Sequence, residues 1–545
     1  MVEAESIFLN GHIYTLDGQN STTQAMATYG NRVLAVGSID KIKTLIGPAT
    51  KVVDLNGKAV LPGFSDAHCH VLLFGLGLLQ IDLRSATSIS EIINAVDREA
   101  RLIPNDKWVR GWGYNDNKLS ERRHPTRYDI DSVSHDHPVY LTHISGHMSM
   151  VNTKALQLAG VDKDTPDPKG GIIDRDGSGQ PTGVFKESAQ DFIKKVLPPF
   201  TIDEVKRALA AANDRLLQEG ITSVQDAWAG WIAPKEFKGY QDAVKEGLLQ
   251  VRVILMPDVE SIKVKDGHFD FGFGIHSGFG NEQLKLGPIK IFIDGSLIGR
   301  TAALSQPYAS DPNNKGFLVN SKEHILEQFR IAHEDGWQVA MHVIGDRAIE
   351  VALETIEKVM GKKAEQYRPR LEHCGVLRED LIKRIKSLGA VVVTQPHFIW
   401  ELGDGFREAL GEERLKLTYA FASLRDLHVI AFSSDRPVVE GAPLIGIQAA
   451  VLRQTQSGAL LVPEEKITIE EAIRWYTIGA ASAAFEEQIR GTLEPGKLAD
   501  FIVLSENPFE VEPERISEIK IDLTVIGGKI VYTSHTAKKI IDTET

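Results

Sequence analysis

Short, mostly apolar runs alternate with longer amphipathic stretches through the middle of the chain. A short apolar run bounded by polar or turn residues is typical of a strand that is buried on both faces. The stretches between the runs repeat their apolar residues with the helical period. Eight of the runs are predicted to be strands: one that leads to His68, then 221–226, 251–256, 289–294, 339–345, 370–374, 390–395 and 429–435.

The amphipathic stretches predict helices that alternate with these strands. They cover residues 87–102, 202–219, 235–247, 322–335, 346–360 and 379–387. Eight strand–helix repeats in one chain predict an α/β fold of the (β/α)8 type, the TIM barrel. Active sites of that fold lie at the carboxyl ends of the strands, so polar residues at those ends are the first candidates for function.

Both ends of the chain show a different pattern, in which short strand-like runs are separated by turn residues. Near the start, Asn10-Gly11 predicts a tight hairpin between residues 6–9 and 12–16. Runs at 499–504 and 523–532 have the same character near the other end. A few short strands cannot bury much apolar surface alone. Each end of the chain therefore needs a partner.

The two ends are predicted to be each other's partner. We expect residues 1–60 and 490–545 to form one β-sandwich domain built from both chain ends. Residues 61–489 then form the (β/α)8 domain. Within it, the segment at about 105–200 has a less regular pattern, with a stretch rich in Gly, Asp and Pro at 162–183, and we interpret it as an insertion.

Candidate chemistry begins with His68 and His70, which follow the first predicted strand. Alternate side chains of a strand share a face, so the two imidazoles point the same way and Cys69 points the other way. Two imidazoles that converge from a strand end make half of a metal site. The alternative is that both are ordinary hydrogen-bonded histidines.

Further ligand types lie on later predicted strands. Lys290 lies on the fourth strand, His342 on the fifth, His373 on the sixth and Asp435 at the end of the eighth. Each histidine has a structural alternative as a hydrogen-bonded core residue, and Asp435 has one as a helix cap or an ion-pair partner of Arg436. A lysine in an apolar strand is costly to bury, so it either pairs with a carboxylate or is chemically changed.

The combination of these residues suggests a chemistry. Neutral histidines and a carboxylate suit zinc or a similar divalent ion. A lysine that takes up carbon dioxide becomes an anionic carbamate, which can bridge two ions and removes the cost of a buried ammonium. A metal-activated hydroxide would attack a carbonyl that the metal polarises, and Asp435 would serve as the general base.

The chain carries a series of motifs that supports the same interpretation. They are Leu61-Pro62-Gly63-Phe64-Ser65-Asp66-Ala67-His68-Cys69-His70, Gly146-His147, Lys290-Ile291-Phe292-Ile293-Asp294, His342-Val343-Ile344-Gly345-Asp346, Leu371-Glu372-His373, Ser433-Ser434-Asp435 and Gly491-Thr492-Leu493-Glu494-Pro495-Gly496-Lys497-Leu498-Ala499-Asp500. This set, which extends over nearly the whole chain, resembles the amidohydrolase superfamily. More closely, it resembles the branch of the N-substituted formamide deformylases, amidohydrolase family 3.

The resemblance implies a set of metal ligands. They are His68, His70, Lys290, His342, His373 and Asp435. It also implies one or two divalent ions per chain, with zinc as the first choice, and a carbamylated Lys290. Lys186 is a rival for the bridging lysine. Because His147 matches the branch pattern, the resemblance implies that it hydrogen-bonds a substrate carbonyl or its oxyanion, and a structural hydrogen bond is the alternative.

Several functions share such a site. The leading hypothesis is hydrolysis of a non-peptide C–N bond in an amide, formamide or cyclic amide. Hydrolysis of an ester, lactone, carbamate or phosphotriester needs the same groups, and a non-catalytic binding or regulatory protein is the third alternative. A deaminase is less favoured, because deaminases of this superfamily usually carry a glutamate near the histidine of strand five, and residues 342–346 show none in an obvious place.

Charge, cysteine content and the lack of long apolar runs predict which partners and which cellular location the protein has. The formal net charge is −13 and no block of basic residues stands out, which argues against a nucleic-acid partner. The two cysteines do not make a disulfide framework. The first residues lack the apolar core of a signal peptide, and no apolar run is long enough to span a membrane, so we expect a cytoplasmic location. The superfamily suggests a homodimer.

Aromatic residues are candidates for the wall of a substrate pocket. They are Trp108, Trp112, Tyr114, Trp228, Phe398 and Trp400. Aromatic side chains are more often part of the core, so each has that alternative. If several of them line the site, the substrate is a small molecule with an apolar or aromatic group.

Overall fold

The computed structural model of the chain describes residues 2–134, 136–144, 146, 148–262, 264–265, 268–269 and 274–537. The chain divides into two compact units, a larger one of Met1–Val71 and Ala212–Thr545 and a smaller one of Leu72–Ala211. Of the helices in the described ranges, none combines the length and the apolar character that crossing a bilayer requires.

Two all-parallel sheets hold the eight predicted strands in the predicted order. The first sheet contains Phe64–Cys69 (β1), Ile221–Ala229 (β2) and Arg252–Pro257 (β3), and the short strand Leu284–Leu286 extends it beside β3. The second sheet contains Ile289–Phe292 (β4), Val339–Val343 (β5), Arg370–His373 (β6), Val391–Thr394 (β7) and Ile430–Phe432 (β8). Leu284–Leu286 is an addition to the predicted strands.

Five helices between these strands were predicted, and the structure has them at Ile202–Gln218, Glu236–Lys245, Lys322–Glu334, Asp346–Val359 and Glu379–Leu388. Two further helices, His397–Leu410 between β7 and β8 and Pro443–Leu452 after β8, were not predicted. The ends of the predicted helices carry the expected signals. The Ser321 side chain accepts a hydrogen bond from the His324 N–H at one helix start, and Gly389 ends another helix with a φ of 63°.

Backbone contacts join the two parallel sheets at both edges. On one side, Asp258, just after β3, forms a parallel bridge with Lys290 of β4. On the other side, the Asp435 N–H donates to the His68 carbonyl at 2.7 Å, and the His70 N–H donates to the Arg436 carbonyl at 2.9 Å. The residues that follow β8 are therefore hydrogen-bonded to the end of β1.

The two ends of the chain meet in a six-stranded mixed sheet. Its strands, in spatial order, are Lys529–Thr533, Ile521–Ile526, Phe501–Leu504, Ala59–Pro62, His12–Tyr14 and Thr22–Thr23. A four-stranded sheet holds Arg32–Gly37, Ala25–Tyr29, Ser6–Leu9 and Lys51–Asp54. Phe8 of the smaller sheet contacts Phe501 of the larger one edge to face at 4.8 Å between ring centroids. Whether these sheets form a domain separate from residues 61–489 stays a prediction.

The hairpin predicted at Asn10-Gly11 is wrong. Ser6–Leu9 pairs with Ala25–Tyr29 and Lys51–Asp54, whereas His12–Tyr14 pairs with Thr22–Thr23 and Ala59–Pro62 in the other sheet. The turn therefore carries the chain from one sheet to the next. A side chain at Gly11 would lie 2.5 Å from Leu55 Cδ1, so glycine serves close packing here.

The smaller unit is more regular than its sequence pattern indicated. Its six-stranded sheet contains Gly171–Arg175, Pro181–Glu187, Met148–Val151, Val139–His143, Val109–Tyr114 and Ile81–Asp82 in spatial order. The helix Ile89–Leu102 begins as predicted, with the Ser88 side chain accepting a hydrogen bond from the Glu91 N–H. Glycines such as Gly113 and Gly183, both with positive φ, interrupt the apolar alternation by which strands are recognised.

Candidate metal centre

The strand order brings the predicted ligands to one edge of the parallel sheets. His68 lies near the end of β1, and His70 is the first residue beyond that strand. His373 is the last residue of β6, and Asp435 follows β8 by three residues. Since neighbouring parallel strands end at the same edge, side chains from distant parts of the sequence meet here.

Three ligand atoms converge on one point. Asp435 Oδ1 lies 3.0 Å from His70 Nε2 and 3.4 Å from His68 Nε2. The ligand atoms of the three residues all lie within 4.8 Å of one another. Two imidazole nitrogens and a carboxylate oxygen at this spacing are a donor set that zinc and similar ions prefer.

Lys290 lies beside this group. Its Nζ is 3.2 Å from His68 Nε2, and the side chain is 0% exposed. Burial lowers the pKa of Lys290 to about 8, although the carboxylates of Glu372 and Asp435 favour the charged form. The amine therefore loses its proton more easily than an ordinary lysine, and the uncharged amine is the form that can react with carbon dioxide.

His342 and His373 complete the cluster of rings. The His373 ring centroid lies 4.4 Å from that of His342 and 4.9 Å from that of His68. Burial lowers the pKa of His373 to about 3, and burial also lowers the pKa of His342 well below its usual range. Both imidazoles are thus neutral at physiological pH, which is the form that binds a metal.

Hydrogen bonds to the outer nitrogens orient three of these rings. His68 Nδ1 lies 2.5 Å from Glu372 Oε2, and His373 Nδ1 lies 2.8 Å from Gln395 Oε1. His342 Nε2 lies 3.2 Å from the carbonyl oxygen of Gly295. A nitrogen that donates to an oxygen leaves the other ring nitrogen with a free lone pair, so each partner selects the atom that faces the centre.

The residues present fit a bound metal ion. His373 Nε2 is buried and has no hydrogen-bond partner among the residues that the structure describes. It belongs to the ring whose other nitrogen is held by Gln395. Buried polar atoms are nearly always partnered in folded proteins, so an inward-facing nitrogen without a partner indicates a missing ligand. His68, His70, Asp435, His342, His373 and Lys290 are the residues that would hold it.

Two of the candidate ligands have an unusual backbone conformation. His373 has a φ of 77° and Asp435 a φ of 61°, in the left-handed region that non-glycine residues rarely adopt. The hydrogen bond from the Asp435 N–H to the His68 carbonyl, at 2.7 Å, helps to hold that conformation. Strain of this kind costs about 1–3 kcal/mol per residue and is concentrated at functional sites.

A network of buried polar groups around the ligands was not anticipated. The Arg370 guanidinium donates to both carboxylate oxygens of Glu372, at 2.8 and 3.1 Å, and also to the side chain of Gln225. The Asp66 carboxylate accepts hydrogen bonds from the backbone and hydroxyl of Ser434, at 3.0 and 2.5 Å. The sequence signal for this network is the presence of charged residues within apolar strands, the same signal that singles out Lys290.

Several candidates have other surroundings. Lys186 belongs to the smaller unit and lies in the strand Pro181–Glu187. His147 lies outside the described residues. Asp294, which follows β4, has its Oδ1 3.7 Å from His342 Nε2. Its carboxylate accepts hydrogen bonds from three backbone N–H groups, at 2.8, 2.9 and 3.0 Å.

Of the aromatic candidates for the pocket wall, some lie near the metal centre and others lie elsewhere. Trp228 and Phe398 lie near the cluster: the Trp228 ring is 6.2 Å from that of His70, and the buried Phe398 ring is stacked 6.2 Å from that of His373. Trp400 lines a different cavity, of about 180 Å³, on the helix Pro443–Leu452. Trp108, Trp112 and Tyr114 belong to the smaller unit.

Known proteins resemble the chain over most of its length. Residues 51–532 match the profile of a family described as the amidohydrolase family. The chain is 35% identical over 543 residues to YtcJ of Bacillus subtilis (strain 168), which is named as an amidohydrolase, and the match covers 97% of this chain and 99% of YtcJ.

Two further relatives add detail. The N-substituted formamide deformylase of Arthrobacter pascens is 29% identical over 537 residues, which are 96% of this chain and 98% of the deformylase. The crystal structure of an uncharacterized metal-dependent hydrolase from Pyrococcus furiosus superposes with a TM-score of 0.78 at 30% identity. That match covers 93% of this chain and 100% of the other.

Proposed function

This chain belongs to the amidohydrolase family, and we propose that it hydrolyses a non-peptide C–N bond of a small molecule, with an N-substituted formamide or related amide as the substrate class. The family and its structural relatives make the protein a metal-dependent hydrolase. The choice of a formamide or amide is supported by the similarity to the Arthrobacter pascens deformylase over nearly the whole chain.

The observation that carries this proposal is the convergence of His68, His70 and Asp435 beside Lys290. A divalent ion bound there, zinc being the first choice, would lower the pKa of a water molecule and polarise the substrate carbonyl. Lys290 is proposed to be carbamylated and to act as a further ligand. We propose one or two ions per chain, because six candidate ligands are enough to hold one ion or two.

Asp435 is proposed to act as the general base. Burial alone would raise the pKa of Asp435, but the neighbouring imidazoles of His68 and His70 hold it well below its usual range. Its carboxylate is therefore ionised at neutral pH. It can accept the proton of the attacking water and pass it to the nitrogen of the leaving amine. His147 remains a proposed partner of the substrate carbonyl.

We also propose a closed barrel, a composite sandwich, a location and a class of partner for this protein. The bridge between Asp258 and Lys290 and the hydrogen bonds between the ends of β1 and β8 support a closed (β/α)8 barrel made of the two parallel sheets. The sheet shared by both chain ends supports a composite β-sandwich. We further propose a cytoplasmic homodimer whose partner is a small substrate with an apolar or aromatic group, not a nucleic acid or a membrane.

The test combines metal analysis with a substrate panel. Protein purified without chelators is analysed for metal per chain and then assayed on N-formyl and N-acetyl amines and on matched formate and acetate esters. Turnover of the amides that is lost with a chelator and restored by zinc is expected. Faster turnover of the esters would favour the alternative bond class. A protein that binds no metal after reconstitution would refute the hydrolase function.

A further inference from the structure

A row of aromatic rings in the larger unit leads from solvent to the metal centre. Trp231 follows β2 and is 44% exposed, and its ring lies 4.0 Å from that of Trp228 with an interplanar angle of 32°. The Trp228 ring lies 4.9 Å from that of Phe292 and 6.2 Å from that of His70. Phe292 in turn lies 5.1 Å from His342. Successive rings thus connect an exposed indole with two candidate ligands.

Other exposed apolar side chains lie in loops that follow the same strands. They are Ile298, Phe317 and Val319 after β4 and Val438 after β8. The Val319 N–H donates to the carbonyl of Ile293 at 2.9 Å, which anchors this loop beside the end of β4. Single exposed apolar residues are ordinary, but several at the edge that carries the metal centre indicate a surface for an apolar ligand.

Trp228 also offers a polar contact. Its Nε1 is buried and has no hydrogen-bond partner within the described ranges of the chain. A buried donor without an acceptor is costly to maintain, and an indole N–H usually finds a partner. A carbonyl oxygen of a bound molecule would satisfy it. The same side chain therefore presents a flat apolar face and a donor close to His70.

We propose that Trp228, Trp231 and Phe292 form the subsite that binds a planar aromatic group of the substrate. The inference rests on the proposed function, which places the reacting bond at the metal centre. An aromatic ring gains from the stacking geometry of the indoles in addition to burying its area, whereas a saturated ring of the same size gains only the area. The substrate class is thus an amide that carries an aromatic substituent close to the bond that is hydrolysed.

The test measures binding and needs no turnover. Benzohydroxamate and cyclohexanecarbohydroxamate share a group that chelates metals and differ only in their ring. Calorimetry with the zinc-loaded protein should show that the aromatic compound binds about three- to tenfold more tightly. Trp231→Ala should bring this ratio close to one, and Trp231→Phe should keep most of it. Since Trp231 is exposed, neither change is expected to disturb folding.

Phe279→Ala is the matched control. Phe279 is 61% exposed, and its carbonyl accepts a hydrogen bond from the Leu286 N–H at 2.9 Å, beside the strand Leu284–Leu286. Its described contacts include no candidate ligand and none of the three subsite rings, so its removal should leave the ratio unchanged. Equal binding of the two hydroxamates by the wild type, or a ratio that Trp231→Ala does not change, would overturn the subsite. A preference for the aromatic hydroxamate without hydrolysis of any amide would instead overturn the proposed function and leave the subsite standing.

Discussion

The buried carboxylate of Glu372 offers a direct test of how the metal centre is held in place. Glu372 is 0% exposed, and its Oε2 lies 2.5 Å from His68 Nδ1. Arg370 donates to both of its oxygens, at 2.8 and 3.1 Å. Burial alone would raise the pKa of Glu372, but the guanidinium of Arg370 holds it well below its usual range. The ionised carboxylate therefore orients His68 and neutralises Arg370 at the same time.

Glu372→Gln keeps the shape of the side chain and removes its charge, which has two separable costs. Arg370 is left in the interior without a counter-charge, and breaking a buried pair in this way costs about 3–5 kcal/mol of folding free energy. His68 loses a charged acceptor, which makes its inward nitrogen a weaker ligand. Loss of such a partner typically lowers metal affinity about 10–100-fold, which corresponds to about 1.4–2.8 kcal/mol.

Asp500→Asn separates the two effects. Arg252 donates to both oxygens of Asp500, at 2.6 and 2.9 Å, and Asp500 is 6% exposed, so this pair resembles that of Glu372 and Arg370. Its described contacts include no candidate ligand. Both variants should have a lower thermal midpoint without metal, and only Glu372→Gln should lose zinc affinity in a competition titration with a chromophoric chelator. Equal zinc affinities in the two variants would refute the reasoning.

Three other predictions concern single residues. Lys290→Ala should lose bound metal in elemental analysis and regain part of it with a short carboxylic acid, while Lys186→Ala keeps its metal; the reverse result would transfer the bridging role to Lys186. Asp435→Asn should retain some metal but lose turnover at least about 100-fold, and normal turnover would exclude Asp435 as the base. Burial and the carboxylate of Asp226 raise the pKa of Glu236 from 4.5 to about 7, so the folded protein holds this proton more tightly than the unfolded chain does. The stabilisation is complete below about pH 4.5 and is lost as the pH rises through about 7, a change of about 3 kcal/mol. The thermal midpoint of Glu236→Gln, measured relative to the wild type, should therefore rise between pH 5 and pH 8, and a constant difference would contradict this pKa.

The strands and the candidate ligands could be predicted because their signals are local. An apolar run with an amphipathic stretch after it predicts a strand and a helix without knowledge of any distant residue. Once the strands are placed in order, the parallel arrangement brings their carboxyl ends together. His70 and Asp435 can therefore be expected to meet, although 365 positions separate them in the sequence.

The features that sequence reasoning missed depend on pairing between distant segments. Asn10-Gly11 has the composition of a hairpin, but the flanking strands gain more by joining two different sheets, where Gly11 allows close contact with Leu55. Arg370 and Glu372 lie on one face of β6, as their spacing predicts. Their role depends on the register that sets β6 near β1, because the Arg370 guanidinium also donates to the Ala67 carbonyl at 2.9 Å.

The left-handed backbone at His373 and Asp435 links the fold to the proposed chemistry. Asp and His adopt a positive φ more often than most other non-glycine residues, but the conformation is still uncommon for them, so the surrounding hydrogen bonds must help to hold it. Strain of about 1–3 kcal/mol at each residue is tolerated only where the surrounding structure holds the backbone firmly. Here the fixed groups include the Asp435 N–H, which donates to the carbonyl of His68. The strand that presents one ligand therefore fixes the backbone of another. The geometry of the centre therefore depends on the backbone of the fold as well as on the side chains that orient the rings.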